Sequence, residues 1–213
     1  ALSMAIDRAA LIAPFGIGGW QPTSWIVPPA LLEGEGVPPS RWQGLSMDQR
    51  RDIARRRVAA WRAQNDGAEA VVRVALPQGL GSDLIFRGLA EAWAGIGVRT
   101  LRVPRGAGAD LEWRDRLARY PSPRWYLNQF NCAVESGLCA ETADELVRAS
   151  LPLADPRERR RLLAEAHAQL IEAEVFIPLG APVRWSLVRS SIANYQPNPW
   201  GVHPLFPLSG PTT

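Results

Sequence analysis

The spacing of apolar residues predicts a chain in which helices alternate with short strands. Residues 1–12 (ALSMAIDRAALI) place Ile6 and Leu11 along one side, which predicts an opening helix. Another helix begins at Ser46, since Ser46 and Gln49 have the spacing of a capping box. Each side chain of that pair can satisfy a backbone amide at the helix start.

A strand–helix–strand unit is predicted in the middle of the chain. Residues 69–77 (EAVVRVALP) and 98–104 (VRTLRVP) form apolar runs typical of strands, and the segment between them has a helical pattern. This order implies a parallel strand pair with a right-handed crossover. Gly79 and Gly81 open the helix, but the third glycine of a dinucleotide fingerprint is absent, so we expect no cofactor here.

The C-terminal half predicts two more helices and two final strands. Thr142 begins a second capping box, and Asp155 followed by Pro156 forms a third helix start. Residues 175–180 (VFIPLG) and 182–189 (PVRWSLVR) are candidates for the last strands.

Two long segments, 13–44 and 106–138, lack a regular pattern. The first is rich in glycine and proline, and it carries Trp20 and Trp25 within GGWQPTSWIVPP. Loops of this length are usually functional or packed onto a partner. Two interpretations of the tryptophans stay open: they line a ligand pocket, or they anchor the loop.

Composition narrows the class of protein. The 213 residues suit one large domain or two small ones, and 46% hydrophobic with 21% charged residues is a globular balance. A net charge of +3 does not indicate nucleic-acid binding. All 24 basic residues are arginine, which an arginine-favouring genome explains more simply than selection for bidentate contacts. The start at Ala1, without a signal-peptide pattern, suggests a processed or excised piece.

The two cysteines and two histidines do not have the spacing of a metal site. Cys132 and Cys139 are seven residues apart, and spacing alone allows either a disulfide or two free thiols. His167 lies beside the core stripe of a predicted helix and is interpreted as structural, whereas His203 lies in a proline-rich tail.

Motifs for catalysis are absent from the sequence. It contains no G-x-S-x-G elbow, no P-loop and no H-E-x-x-H pair. The remaining candidates are loop aromatics, arginines and amides, which bind by stacking, shape and hydrogen bonds. We therefore expect a binding protein and not an enzyme, with neither a metal nor a cofactor.

Six segments, in order, resemble solute-binding protein family 5, the peptide/nickel class of ABC-importer receptors. ALSMAIDRAALI is similar to the family's AIDR helix, GGWQPTSWIVPP to the loop after it, and LAEAWAGIGVRTLRV to a helix–strand step. LARYPSPRWYLNQF resembles the "ADYPDP" segment, RRRLLAEAHAQLIEAEVFIPLG the long helix with its following strand, and NYQPNPWG the terminal "GY-x-x-NP-G".

The resemblance implies an α/β fold, the type II periplasmic-binding lobe, in which helices flank a mixed sheet with a βαβ unit. It identifies residues 1–191 as the C-terminal lobe of a two-lobe protein and 192–213 as a tail returning toward the N-terminal lobe. The implied function is capture of a small, peptide-like solute in the periplasm for an ABC permease of the inner membrane. An alternative is the ligand-sensing domain of a transcription regulator; the sequence N-terminal to this chain would discriminate the two.

One departure from the family pattern concerns the ligand. Peptide binders of the family pair the first aspartate of "ADYPDP" with the peptide's amino group, whereas Arg119 stands at that position, beside Tyr120. A cation there repels an ammonium group, so we expect an anionic or neutral solute. The alternative is that Arg119 points to solvent or pairs with Glu112 or Asp115. Asn128 and Asn131 are further candidate contacts, with turn capping as their alternative role.

Overall fold

Two structural units make up the part of the chain that the computed structural model describes, which is residues 1–32, 42, 44–135, 137–192 and 194–196. Unit 1 contains the described residues of 1–24, 39–115 and 179–181. Unit 2 contains the described residues of 25–38, 116–178 and 182–213.

The predicted opening helix is two short helices in unit 1, so the prediction of one continuous helix is wrong. Helix α1 spans Leu2–Ala5 and helix α2 spans Arg8–Ile12. The chain is extended at Ile6, and the Asp7 side chain accepts a hydrogen bond from the Ala10 backbone N–H at 3.0 Å. Aspartate caps a new helix at this point because its carboxylate satisfies an amide that continued helix would have used.

The helix predicted from Ser46 is confirmed. After the two-residue strand β1 (Gln21–Pro22), helix α3 (Met47–Gln64) begins with both hydrogen bonds of the capping box. The Ser46 backbone N–H donates to Gln49 at 2.9 Å, and the Gln49 backbone N–H donates to the Ser46 hydroxyl at 3.2 Å. Two amides at the helix start are therefore satisfied reciprocally.

The predicted strand–helix–strand unit is also confirmed. Strand β2 (Ala70–Ala75), helix α4 (Leu80–Ala94) and strand β3 (Val98–Val103) follow one another, and β2 and β3 pair in parallel over six residues. A third strand, β4 (Leu111–Glu112), joins the other edge of β2, also in parallel. Helix α4 turns one buried side chain per turn to the core: Ile85, Leu89 and Trp93.

Unit 2 is helical, with α5 (Pro123–Leu127), α6 (Glu141–Ala149) and α7 (Pro156–Ala173). The start of α7 is as predicted, because the Asp155 side chain accepts a hydrogen bond from the Arg157 backbone N–H at 2.8 Å. The core of unit 2 combines side chains of all three helices with two from the loop before them: Val27, Leu32, Leu127, Ala143, Val147, Leu163, Ala164, Ala166 and Leu170.

The predicted capping box at Thr142 is wrong. The cap position of helix α6 is Ala140, two residues before Thr142, and no side chain caps the helix there. The Thr142 hydroxyl instead donates to the Gln169 side-chain oxygen at 3.4 Å, a partner on α7. The Thr142 hydroxyl thus takes part in a contact between α6 and α7 and does not cap α6.

The last two predicted strands are largely absent. Only β5 (Gly180–Ala181) forms, and within unit 1 it pairs antiparallel with β1. Residues 182–189 lie outside any helix or strand. None of the helices in the described part of the chain combines the length and the apolarity that crossing a membrane requires.

Candidate functional site

Five of the predicted contact residues belong to unit 2, and three of them flank the short helix α5. Pro123 occupies the first helical position, where its missing N–H costs nothing. The helix buries Trp125 and Leu127. Exposed side chains lie on either side of it, with Tyr120 before the helix and Asn128 at its C-terminal cap. The prediction that 106–138 is irregular missed this helix, because five residues are too short to show a period.

The Arg119 side chain is exposed, and it makes no hydrogen bond or ion pair with any described residue of unit 2. Glu112, one of the acids considered as its partner, pairs with Arg114 at 3.2 Å. Tyr120 next to it is 47% exposed. Arg119 and Tyr120 are thus both exposed, in the segment that resembles the family's "ADYPDP" motif.

The two asparagines differ in what their side chains do. Asn128 is exposed at the end of α5. Asn131 is half-buried, and its side-chain oxygen accepts a hydrogen bond from the Ala133 backbone N–H at 2.9 Å, which caps the turn Cys132–Val134. Turn capping therefore occupies the Asn131 carbonyl, while its amide N–H groups are oriented by that same bond.

A disulfide joins Cys132 to Cys139, with 5.2 Å between the Cα atoms. The Cys132 backbone N–H also donates to the Asp144 carboxylate on α6 at 2.8 Å. The loop closed by the disulfide carries two exposed apolar side chains, Val134 and Leu138. Covalent closure and the bond to α6 hold the chain that follows Asn131.

We expect the variant Cys132→Ser/Cys139→Ser to lose about 2 kcal/mol of unfolding free energy, because closing a loop of this size restricts the unfolded chain by roughly that amount. Urea unfolding followed by circular dichroism, with and without reductant, measures the loss. Reductant should bring the wild type to the stability of the double variant and leave the variant unchanged. Equal stability of all four samples would contradict the prediction.

Trp25 lies beside a contact that connects the long loop to α7. The Ile26 backbone N–H donates to His167 Nε2 at 3.2 Å, and Val27 is fully buried in the core of unit 2. His167 is fully buried, and loss of solvation lowers its pKa to about 4. Neutral His167 thus fixes the backbone next to half-buried Trp25, a structural role that agrees with the sequence interpretation.

Trp20, the remaining candidate, belongs to unit 1. Its indole packs on Phe15 with 4.8 Å between the ring centroids. Gly180 lies so close that a Cβ atom there would approach Trp20 Nε1 to 2.7 Å. These contacts of Trp20 with Phe15 and with the β5 backbone fit the interpretation that Trp20 anchors the loop.

Candidate metal ligands do not converge in the part of the chain that the structure describes. No group of three His, Cys, Asp or Glu side chains there has an arrangement that would hold an ion. Neighbouring Trp125 and Tyr126 form an edge-on pair at 5.1 Å, and burial raises the Tyr126 pKa. This pair is packing within unit 2.

Comparison with known proteins supports the resemblance stated from the sequence motifs. No protein-family model matches the chain. A probable di/tripeptide-binding protein of Pseudomonas aeruginosa is 28% identical over 135 aligned positions, which cover 57% of this chain and 26% of the relative. The chain thus resembles peptide-binding proteins of family 5 in sequence, over about a quarter of that relative's length.

Solved structures show that the fold is the type II periplasmic-binding fold. Haemophilus influenzae OppA, solved with the peptide RPPGFSPFR, superposes with a TM-score of 0.73 at 15% identity over 84% of this chain and 38% of its own. The Escherichia coli murein tripeptide binding protein MppA gives 0.70 at 16% identity, again over 84% and 38%. The predicted fold class is therefore confirmed, except that the sheet of the βαβ unit is parallel throughout and not mixed. The chain spans well under half of these proteins.

Proposed function

We propose that this chain is the ligand-binding C-terminal lobe of an ABC-importer solute receptor and that it binds its solute without transforming it. Its similarity to a di/tripeptide-binding protein and its fold, shared with OppA and MppA, support a solute-binding role. Residues 1–191 form the lobe, and 192–213 form the tail that returns toward the other lobe. Residues 197–213 lie outside the described part of the chain.

The proposed site is the exposed segment around α5 in unit 2, together with Trp25 of the same unit. Trp20, in unit 1, stays a separate predicted ligand contact. The observation that carries the proposal is Arg119, which is exposed, stands where peptide binders of the family have an acid, and has no ion-pair partner within described unit 2. Guanidinium groups bind carboxylates through two parallel hydrogen bonds. The solute is therefore anionic or neutral at the end that meets Arg119, with Tyr120, Asn128 and Asn131 supplying further contacts.

The proposed compartment is the periplasm, and the proposed partner is an inner-membrane permease that receives the solute. The disulfide between Cys132 and Cys139 supports an oxidising compartment, because reducing compartments rarely preserve such bonds. The other lobe of the same protein completes the site, as expected for receptors that trap the ligand by hinge closure.

Calorimetric titration of the longest polypeptide that the gene encodes tests this function. The ligands are a tripeptide with a free amino group and the same tripeptide N-succinylated, which replaces the ammonium by a carboxylate. We expect the succinylated peptide to bind more tightly. Arg119→Asp should weaken its binding by about 1.5–3 kcal/mol, roughly ten- to hundredfold in Kd, the range for hydrogen bonds to a charged group.

Arg116→Asp is the matched control, since Arg116 is also exposed and lies three residues earlier. It makes the same change in net charge and should leave both affinities within about twofold, because exposed charges are screened. Tight binding of the free-amine peptide by the wild type would contradict the proposed ligand class. Binding of neither peptide, nor of other small solutes released on denaturation of the purified protein, would contradict a solute-binding role.

A further inference from the structure

Arg124, on helix α5, is shielded from solvent without a partner among the described residues. Its side chain is half-buried, and its Nε atom is buried without a hydrogen-bond acceptor. It forms no hydrogen bond, ion pair or ring contact with any residue that the structure describes. The other described arginines that lack a partner are all exposed. Arg124 is therefore the only arginine in the described part of the chain that is both half-buried and unpaired.

This environment is more costly for a guanidinium than that of an ordinary surface arginine. Arginine commonly buries its methylene stem and keeps its charged head in water. At Arg124 burial reaches a nitrogen of the guanidinium itself, which loses its hydration without a protein acceptor in exchange. Arg159 also has a buried Nε, but it donates through Nη2 to the Leu153 backbone carbonyl. The unpaired Arg124 guanidinium thus indicates an acceptor that comes from outside the described chain.

Asn128 lies next to Arg124 on the same face of α5. The two are four residues apart, and Asn128 keeps helical backbone angles at the C-terminal cap. Pro123 and Leu127 are buried on a different face of the helix. The Asn128 side chain is exposed, and it makes no hydrogen bond with any of the described residues. A carboxylate at this face can accept from both side chains, because a guanidinium and an amide NH2 group are both donors.

The segment around this pair is positively charged. Residues 116–134, all within unit 2, contain three arginines, Arg116, Arg119 and Arg124, and no acidic residue. A surface of one sign of charge attracts ligands of the opposite sign and raises their local concentration. Under the proposed function Arg119 meets one end of the solute, so the second cation at Arg124 indicates a second negatively charged group.

We propose that Arg124 and Asn128 bind a second acidic group of the solute, which is therefore a small molecule or peptide with at least two carboxylates. Arg119 contacts one carboxylate, and Arg124 with Asn128 contacts the other. The two arginines are five residues apart, which places their Cα atoms within at most about 18 Å and requires both acidic groups in one small solute. This inference rests on the proposed function, which supplies the solute and its contact with Arg119.

Calorimetric titration with matched peptides tests the proposal on the longest polypeptide that the gene encodes. The probes are N-succinylated tripeptide amides that carry one glutamate at the first, second or third position, and each is compared with the peptide that has glutamine there. The succinyl group supplies the first carboxylate and glutamate the second. We expect at least one glutamate peptide to bind about ten- to hundredfold more tightly than its glutamine counterpart, the range for hydrogen bonds to a charged group.

Arg124→Gln should reduce this preference for glutamate to less than about twofold, and Arg124→Lys should restore only part of it, since lysine lacks the planar fork of donors. Arg148→Gln is the matched control, because Arg148 is an exposed arginine of unit 2 on α6 and the charge change is the same. It should keep the full preference. An unchanged preference in Arg124→Gln would overturn the proposal, as would equal binding of every glutamate peptide and its glutamine counterpart by the wild type.

A second measurement separates this inference from the proposed function. The NMR signal of the Arg124 Nε–H group, assigned by its loss in Arg124→Gln, is followed while glutarate, a simple dicarboxylate, is added. We expect this signal to shift and saturate while that of Arg148 stays in place. A saturating shift without binding of any peptide would support the acidic-group site and contradict the proposed function. Peptide binding without a shift at Arg124 would overturn the site and leave the function in place.

The other source of an acceptor is an acidic side chain in a part of the protein outside the described residues. In that case Arg124→Gln would lower the unfolding free energy of the longer polypeptide and leave the preference for glutamate peptides as in the wild type. This result would overturn the proposal, by identifying Arg124 as half of an internal ion pair. Urea unfolding of wild type, Arg124→Gln and Arg148→Gln measures the difference.

Discussion

Replacing Trp93 by alanine is expected to lower the unfolding free energy by about 3–5 kcal/mol, the range measured for truncation of a large core aromatic. Trp93 is 1% exposed and lies on the buried face of α4, the helix that connects β2 to β3. A domain of this size has only about 5–15 kcal/mol of stability, so the loss removes a large part of it. Urea unfolding followed by circular dichroism measures the change.

The size of the effect has two sources that a second variant separates. The Trp93 indole N–H donates to the Leu2 backbone carbonyl at 3.0 Å, which ties α1 to α4. Trp93→Phe keeps most of the apolar volume but removes this donor, so it should cost only about 1–2 kcal/mol, in line with a lost buried hydrogen bond.

Trp61→Ala is the control for loss of a tryptophan as such. Trp61 is 45% exposed near the end of α3, and its removal should cost less than about 1 kcal/mol, as expected for a surface position. Equal stability of Trp93→Ala and Trp61→Ala would contradict the buried position of Trp93 between α4 and the N-terminal helices.

The sequence predicts an element of this fold correctly where interactions between residues close in the chain determine that element. The βαβ unit and the capping box at Ser46 follow from periodicity and from hydrogen bonds between near neighbours. The break after Ala5 was missed because its cause, the Asp7 side chain, competes with an apolar pattern that is helical on both sides. The unused cap at Thr142 was missed because Gln169, 27 residues away, takes its hydroxyl.

The candidate site was predictable only where a motif placed it. Arg119 and Tyr120 came from the resemblance of their segment to a family motif, and the structure shows both side chains exposed. The hydrogen bond between Ile26 and His167 joins residues 141 positions apart, so no local sequence pattern predicts it. The strand pattern of 182–189 is a different case, because the alternation is present in the sequence and yet these residues lie outside any helix or strand.

Acidification should destabilise the wild-type protein through His167 by about 2 kcal/mol at pH 5 and about 3 kcal/mol at pH 4, relative to pH 7. The unfolded histidine has its ordinary pKa of 6.5, whereas burial lowers the folded value to about 4. Between these values the unfolded chain binds a proton that the folded chain does not. The contribution of neutral His167 is therefore complete above pH 6.5 and is lost progressively as the pH falls toward 4.

His167→Gln provides the matched comparison, because the glutamine side-chain oxygen can accept from the Ile26 N–H at the position of Nε2 and does not titrate. The variant should be less stable than wild type at pH 7 but lose about 2 kcal/mol less between pH 7 and pH 5. His203→Gln, which removes the only other histidine, should show the wild-type slope. Parallel curves for wild type and His167→Gln would show that His167 keeps an ordinary pKa.

Since Ile26 follows Trp25 directly, protonation of His167 breaks the contact that holds this candidate ligand residue. A fall in solute affinity as the pH falls toward the folded pKa of about 4, which His167→Gln abolishes, would therefore connect the buried histidine to the site.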